Sequence, residues 1–212
     1  MSSPLLRIED LSIHFGAADE PMKAVNGVTF DVGRGETVVL VGESGSGKSI
    51  TALSAMRLLP HAARVVSGSI WLDGSDILAL PERVMRDIRG RRVGMIFQEP
   101  QSSLNPVITI GKQIGEVLRR HKGLRGQALT DRVIELLTAV EIPDPERRYT
   151  EFPHQFSGGM KQRVMIAIAM AAEPDLLIAD EPTTALDVTV QAQVLELLRK
   201  QQRETDMGIL FI

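Results

Sequence analysis

The chain reads Gly42-Glu43-Ser44-Gly45-Ser46-Gly47-Lys48-Ser49 over residues 42–49, which fits the pattern G-x-x-x-x-G-K-[ST]. The preceding residues 37–41 (TVVLV) predict a buried strand, and a helix is predicted from residue 48 to about residue 59, stopped by Pro60. A glycine-rich turn in this setting folds backbone N–H groups into a nest at the positive end of the helix. The segment therefore predicts a phosphate-binding loop.

The side chains of this loop match the needs of a nucleotide. Lys48 would reach the β- and γ-phosphates, and the Ser49 hydroxyl would ligate Mg²⁺. The alternative is a glycine-rich turn that matches the pattern by chance. The order of strand, loop and helix favours nucleotide binding.

A pair of acids follows a second apolar segment, Asp175-Leu176-Leu177-Ile178-Ala179-Asp180-Glu181. Carboxylates after a strand lie at the sheet edge where α/β proteins bind ligands. Asp180 suits a role in holding Mg²⁺, and Glu181 could accept a proton from an attacking water. The alternative is a surface acid pair before Pro182, but the phosphate-binding loop favours the functional interpretation.

The hydrophobic pattern changes along the chain. Leu11 and Ile13 alternate with polar residues and predict strands in the first part. Residues from about 99 to 172 predict mainly helix, and strands return at residues 176–179 and 208–212. Strands that alternate with helices predict a mostly parallel sheet with an inserted helical lobe.

Composition limits the class of protein. The chain has 212 residues, a formal net charge of −3 and no cysteine. The charge argues against a nucleic-acid partner, and the lack of cysteine excludes thiolate metal sites in this sequence. We expect no signal peptide, and the longest apolar run, residues 164–172, is far shorter than the ~20 residues that span a bilayer.

Further motifs reveal a family resemblance. Residues 155–163 read QFSGGMKQR, which resembles the LSGGQ signature of ABC ATPases, with Phe156 in place of Leu and Met160 in place of Gln. Gln98 follows an apolar segment, as the Q-loop glutamine does, and Asp187 ends a string (TALD) that resembles the D-loop. The motifs appear in the family's order, so nearly the whole chain resembles an ABC transporter ATP-binding subunit.

The resemblance implies a fold. We expect an α/β P-loop NTPase core with a mostly parallel sheet, an N-terminal antiparallel β subdomain and an inserted helical subdomain. Within one nucleotide-binding domain, residues 1–98 and 173–212 would form the core with its β subdomain, and residues 99–172 the helical subdomain. The family's switch histidine would follow the last strand, so we expect the fold to be truncated at its C-terminus.

The resemblance also implies how ATP is bound and hydrolysed. Catalysis would depend on Lys48, Gln98 and Glu181, and Mg²⁺ would be held by Ser49, Gln98 and Asp180. The ATP-binding residues would be Gly42, Glu43, Ser44, Gly45, Ser46, Gly47, Lys48, Ser49, Ile50 and Phe15.

The signature implies a second subunit. Its residues Ser157, Gly158, Gly159 and Met160 would complete the ATP site of a facing subunit in a head-to-tail dimer, and Asp187 would link the two sites. Small residues at a helix N-terminus can approach a phosphate closely. Taken alone, this segment is a simple helix cap.

Two groups of apolar residues have both a functional and a structural interpretation. Phe15 is the best match for the aromatic residue that stacks on adenine in many relatives, and the alternative is a core residue of a strand. The groove that receives a permease helix would be adjoined by Phe97, Leu104, Pro106 and Val107. The alternative for these four residues is ordinary core and turn packing.

Three longer strings, at residues 95–106, 153–160 and 180–191, resemble the peptide-importer branch of ABC ATPases. The resemblance implies an ABC-type ATPase that energises import of peptides or related small solutes through transmembrane permease subunits. An extracytoplasmic solute-binding protein would act indirectly. The chain would lie peripherally on the cytoplasmic face of the bacterial inner membrane.

Other classes remain as alternatives. A non-transport ABC ATPase of repair or translation usually carries a long coiled-coil insertion or a basic linker, whereas here the helical lobe is short and the net charge is negative. A P-loop kinase or GTPase would not need the signature, and a guanine-reading N-K-x-D string is absent. A hydrolysis-deficient nucleotide-binding fragment is disfavoured by Lys48, Asp180 and Glu181, although an end before the switch histidine predicts poor turnover.

Overall fold

The computed structural model describes residues 3–16, 21–98, 103–183 and 188–212. Its strands are β1 (Leu6–Phe15), β2 (Met22–Val32), β3 (Thr37–Val39), β4 (Ala63–Leu72), β5 (Ser75–Asp76), β6 (Val93–Ile96), β7 (Leu176–Ala179) and β8 (Gly208–Phe211). Its helices are α1 (Lys48–Ala55), α2 (Glu82–Arg91), α3 (Ile110–Lys122), α4 (Gly126–Ala139), α5 (Pro145–Arg148), α6 (Gly158–Met170) and α7 (Val188–Thr205), with a 3₁₀ turn at Pro153–Gln155.

The strands form two sheets of different kinds. An antiparallel sheet has the order β2-β1-β4-β5, and a parallel sheet has the order β3-β8-β7-β6. Helices α3 to α6 lie between β6 and β7 in the chain. The predicted α/β fold, with an antiparallel β region and an inserted helical region, is confirmed. None of the described helices is long and apolar enough to cross a lipid bilayer.

Strand β7 shows why the central segment is apolar throughout. Leu177 and Ala179 pack in a core with the inserted helices, whereas Leu176 and Ile178 pack in a second core with the antiparallel sheet and α1. Successive side chains of a strand point to opposite faces, so a strand covered on both sides needs a continuous apolar run. The apolar run stops at the carboxyl end of β7, where Asp180 and Glu181 follow.

Two predicted element boundaries are wrong. The segment 37–41 is not a buried strand, since Val39 is 55% exposed and Val41 89% exposed. In the described part of the chain β3 pairs only with β8, which leaves its other edge uncovered. Helix α1 ends at Ala55 rather than near residue 59, because Arg57 adopts a φ of 50° that no right-handed helix contains.

Charged side chains join the two sheets at the edge opposite the predicted site. Arg92 pairs with Asp73 at 2.9 Å and with Asp175, and Arg34 reaches the same two carboxylates at 3.5 and 3.3 Å. Asp73 follows β4 of the antiparallel sheet, whereas Arg92 and Asp175 precede strands β6 and β7. Burial raises the pKa of Asp175, but hydrogen bonds from Arg92 and Arg34 outweigh it and leave that pKa below its usual range.

Candidate functional site

The glycine-rich loop depends on close backbone approaches. Gly47 precedes α1 with a φ of 91°, and a Cβ atom there would lie 2.3 Å from the Ala24 carbonyl oxygen of β2. Gly45 also has a positive φ, of 81°. Only glycine adopts such conformations without strain and allows a neighbouring backbone so near. The loop is thus packed against β2 directly before the N-terminus of α1.

Lys48 lies folded over the loop. Its Nζ donates to the carbonyl oxygens of Gly42 at 2.8 Å and Glu43 at 2.7 Å, and lies 3.4 Å from the Ser46 hydroxyl. The ammonium group therefore stands at the mouth of the loop, where a polyphosphate would approach.

Ser49 and Asp180 meet across the fold. The Ser49 hydroxyl donates a 3.0 Å hydrogen bond to Asp180 Oδ1, and Asp180 is only 5% exposed. Its position follows from the parallel pairing, because the Asp180 N–H donates to the Ile96 carbonyl at 3.0 Å and continues the ladder of β6 and β7. Burial raises the pKa of Asp180, although the Ser49 hydrogen bond acts in the opposite direction.

These two oxygens suit a hard cation. Mg²⁺ prefers oxygen ligands and is usually held by one or two protein groups, with phosphate oxygens and waters completing its shell. A buried carboxylate beside a hydroxyl provides such a donor pair, and a cation would offset the burial of its charge. Across the described residues no three His, Cys, Asp or Glu side chains gather into a metal site.

Gln98 and Glu181 form the other polar pair. Gln98 Nε2 donates to Glu181 Oε2 at 2.9 Å, and the Glu181 N–H donates to the Ile212 carbonyl at 3.0 Å. Glu181 has a φ of 46°, which lies in the left-handed region that non-glycine residues rarely adopt. The two adjacent carboxylates thus have different hydrogen-bond partners, Ser49 for Asp180 and Gln98 for Glu181.

Most of the predicted ATP-site residues line one open cavity of about 360 Å³. Its lining comprises Phe15, Met22, Lys23, Ala24, Ser44, Gly45, Gly47, Lys48, Ser49, Ile50, Gln98 and Glu181. Gly42, Glu43 and Ser46 form the part of the loop that Lys48 contacts, and Asp180 lies beneath Ser49. Phe15 is half-buried at the cavity wall rather than in a core.

Comparison with known families settles the membership of this chain. The family described as "ABC transporter" matches residues 25–184. The chain belongs to the ABC transporter family. A solved structure described as "Dimeric structure of a post-hydrolysis state of the ATP-binding cassette MJ0796 bound to ADP and Pi" has the same fold. The TM-score is 0.85 and the sequence identity is 26%, and the match covers 97% of this chain and 86% of the other.

Curated ABC proteins are more similar in sequence. The oligopeptide transport ATP-binding protein OppD of Bacillus subtilis is 51% identical over 98% of this chain and 58% of its own length. The peptidoglycan transport ATP-binding protein YejF of Agrobacterium fabrum is 54% identical over 100% of this chain and 39% of its own length. The chain therefore spans less than two thirds of the curated relatives it matches.

The ABC signature occupies the beginning of α6, outside the cavity wall. Ser157 caps this helix, with its Oγ accepting from the Met160 N–H at 3.3 Å, and Ser157 and Gly158 are exposed. Phe156, which replaces the usual Leu, is 5% exposed and lies under the Arg148 guanidinium at 5.4 Å. The D-loop residue Asp187 lies outside the described residues.

Several residues of this site carry no sequence motif. Met22, Lys23 and Ala24 line the cavity because β2 pairs with β1 in a register that sets Met22 opposite Phe15. No local pattern marks them, because their place in the site depends on the pairing of β1 with β2. Gln162 lies within the signature string, but no short motif indicates that its side chain makes a buried contact with the segment after Glu181.

Proposed function

We propose that this chain binds Mg²⁺-ATP and hydrolyses it to energise import of peptides or related small solutes through a partner membrane permease. The observation that carries the proposal is the Gln98–Glu181 pair, which lines the same cavity as Lys48 and Ser49. A base, a phosphate-binding lysine and an oxygen pair for a cation are the parts that nucleotide hydrolysis requires. The named function of OppD supports peptides as the cargo class.

The chemistry follows from the positions of the side chains. Lys48 would exchange its carbonyl contacts for phosphate oxygens and offset their charge. Glu181 would accept a proton from the attacking water, and Gln98 would orient the Glu181 carboxylate. Mg²⁺, held by Ser49 and Asp180 with Gln98 nearby, would supply Lewis-acid stabilisation when bound. Phe15, at the cavity wall, would stack on the adenine.

We propose that a second ABC subunit completes each site, head to tail. Ser157 and Gly158 are exposed at the N-terminus of α6, and neither lines the cavity of its own chain. The helix end is thus free to meet a phosphate held by another subunit. Gly159, Met160 and Asp187 would lie along the same contact. The dimeric MJ0796 structures support this arrangement.

The permease would dock beside the Q-loop. Phe97 is 39% exposed and Val107 is 77% exposed, so both are open to a partner, as is Pro106. Leu104, in contrast, is 2% exposed and packs in the core, where the structural interpretation holds. We place the chain at the cytoplasmic face of the bacterial inner membrane, with the solute-binding protein acting from the other side through the permease.

We propose the domain limits that follow from the motifs: residues 1–98 and 173–212 for the core with its β subdomain, and 99–172 for the helical subdomain. The two are not independent packing units, because Ile96, Leu177 and Ile209 share a core with the inserted helices. We therefore expect the helical subdomain to fold together with the core and not as an independent unit.

Glu181→Gln tests the proposal. The variant should bind ATP as tightly as the wild type and lose about 100-fold or more in turnover, since removing a general base costs roughly 10²–10⁴ in rate. Glu196→Gln, which changes an exposed acid of α7, is the matched control and should keep full turnover. Stimulation of that turnover by the permease in vesicles tests transport. Unchanged hydrolysis in Glu181→Gln would overturn the assignment, and indifference to the permease would favour a non-transport ABC ATPase.

A further inference from the structure

A buried glutamine of the signature helix holds the segment that follows the proposed base. Gln162 lies inside α6 and is 1% exposed. Its Nε2 donates a 2.6 Å hydrogen bond to the carbonyl oxygen of Pro182, the residue directly after Glu181. Because no water competes for a buried amide hydrogen bond, the bond fixes the position of its acceptor.

The segment around Glu181 needs such a restraint. Glu181 adopts a φ of 46°, a conformation that a non-glycine residue holds only when its surroundings impose it. Pro182 has no N–H with which to anchor the turn. The Glu181 N–H is held by the Ile212 carbonyl, and the Pro182 carbonyl is held by Gln162. The backbone that aims the Glu181 carboxylate is thus fixed on one side by β8 and on the other by α6.

The same helix carries the signature at its N-terminus. At about 1.5 Å per residue, Ser157 and Gln162 lie roughly 7 Å apart along the axis of α6. A Cβ atom on Gly159 would lie 3.3 Å from Val190 Cγ1, so α6 packs tightly against the first turn of α7. A rigid shift of α6 would therefore move Gln162, and the hydrogen bond that it makes to the Pro182 carbonyl, together with Ser157.

We propose that Gln162 is a positioning residue that couples the two ATP sites of the dimer. Its hydrogen bond aims Glu181 at the ATP bound by its own chain, while its helix presents Ser157 to the ATP bound by the partner. Engagement of the partner's nucleotide thereby sets the geometry of this chain's base. The inference rests on the proposed roles of Glu181 and of the signature, and extends them to a residue with no contact to nucleotide.

Two substitutions of Gln162 test the coupling. Gln162→Leu keeps the volume but cannot donate, and should lower kcat about 10-fold with KM and ATP affinity unchanged, because Gln162 does not line the nucleotide cavity. Gln162→Glu can donate to the Pro182 carbonyl only when protonated, and burial favours the protonated form. Its kcat relative to wild type should therefore rise as the pH falls, whereas the ratio for Gln162→Leu should stay flat.

Two controls separate the possible failures. Gln193→Ala removes a different contact between α7 and α6, the one made with Arg163, and should keep wild-type kcat. Adding Gln162→Leu to Glu181→Gln should cause no further loss of turnover, since the base through which Gln162 acts is already gone. Thermal unfolding of each variant establishes that it is folded.

The outcomes are distinct. If Glu181→Gln keeps its turnover, the proposed function itself fails. If Glu181→Gln is inactive while both Gln162 variants keep wild-type kcat at every pH, the coupling through Gln162 is overturned and the proposed function stands. Loss of ATP affinity in Gln162→Leu would also overturn it, because the residue would then act on binding rather than on the base.

Discussion

Gln98 Nε2 donates a 2.9 Å hydrogen bond to Glu181 Oε2, although the two residues lie 83 positions apart in the chain. Both follow parallel strands that pair in register, with Ile96 opposite Ala179. Neither side chain is buried, so strand pairing rather than core packing brings them together. The two side chains therefore meet because their strands are neighbours in the parallel sheet.

Removal of the Gln98 amide should slow hydrolysis. Gln98→Ala leaves the Glu181 carboxylate without this donor, and we expect about a 10-fold lower kcat with ATP affinity changed less than about threefold. Steady-state turnover and nucleotide titration measure the two effects. Equal losses in affinity and in kcat would show that Gln98 acts mainly in binding.

Lys48→Ala should abolish tight nucleotide binding. A charge-assisted contact contributes about 1.5–3 kcal/mol, which corresponds to a 10- to 100-fold weaker ATP affinity by isothermal titration. Lys200→Ala, on the exposed face of α7, is the matched control and should bind normally. Wild-type affinity in Lys48→Ala would contradict the assignment of the loop.

Asp180→Asn should raise stability while it removes the response to Mg²⁺. Burial raises the pKa of Asp180 and so disfavours its ionised form. The ionised carboxylate therefore destabilises the fold at pH 7, and asparagine still accepts from Ser49. We expect a higher Tm than wild type at pH 7, a difference that vanishes below the ordinary aspartate pKa of about 3.9. Adding Mg²⁺ to ATP should then give no further gain in Tm beyond that from ATP alone.

Gly47→Ala should destabilise the loop more than Gly45→Ala does. Both positions have a positive φ, but a Cβ at Gly47 would meet the Ala24 carbonyl at 2.3 Å, whereas nothing lies within 4 Å of one at Gly45. We expect Gly45→Ala to lose about 1 kcal/mol from backbone strain and Gly47→Ala about 2–3 kcal/mol. Denaturant unfolding compares the two, and equal losses would show that β2 can retreat.

The ion pairs between the sheets should make stability depend on acid. The pKa of Asp175 is lower in the folded protein than in the unfolded chain. Its ionised carboxylate therefore stabilises the fold at any pH above the unfolded-state pKa, and this stabilisation is lost as the pH falls toward the folded-state pKa. Because its carboxylate is about one third exposed, Asp175→Asn should cost only about 1 kcal/mol at pH 7. Thermal unfolding across pH should show the variant and wild type converging in acid; a constant difference would point to packing instead.

Local pattern accounted for much of the fold. The glycine loop, the apolar strand before Asp180 and the helical region between β6 and β7 each follow from residue types that impose their own backbone geometry. Glu181 was predicted at a sheet edge from the apolar strand before it, whereas Gln98 was predicted only from the family resemblance. The exposed edge of β3 and the early end of α1 were not, since both depend on which neighbours pack there.

Residue pattern alone established the strand–loop–helix unit and the acid pair, because their conformations depend on chemistry within a few residues. Only the assembled molecule decided that Phe15 faces the cavity opposite Met22, and that Gln162 of the signature helix anchors Pro182. These contacts join segments far apart in the chain. Their geometry is set by strand register and helix packing, which no short stretch of sequence contains.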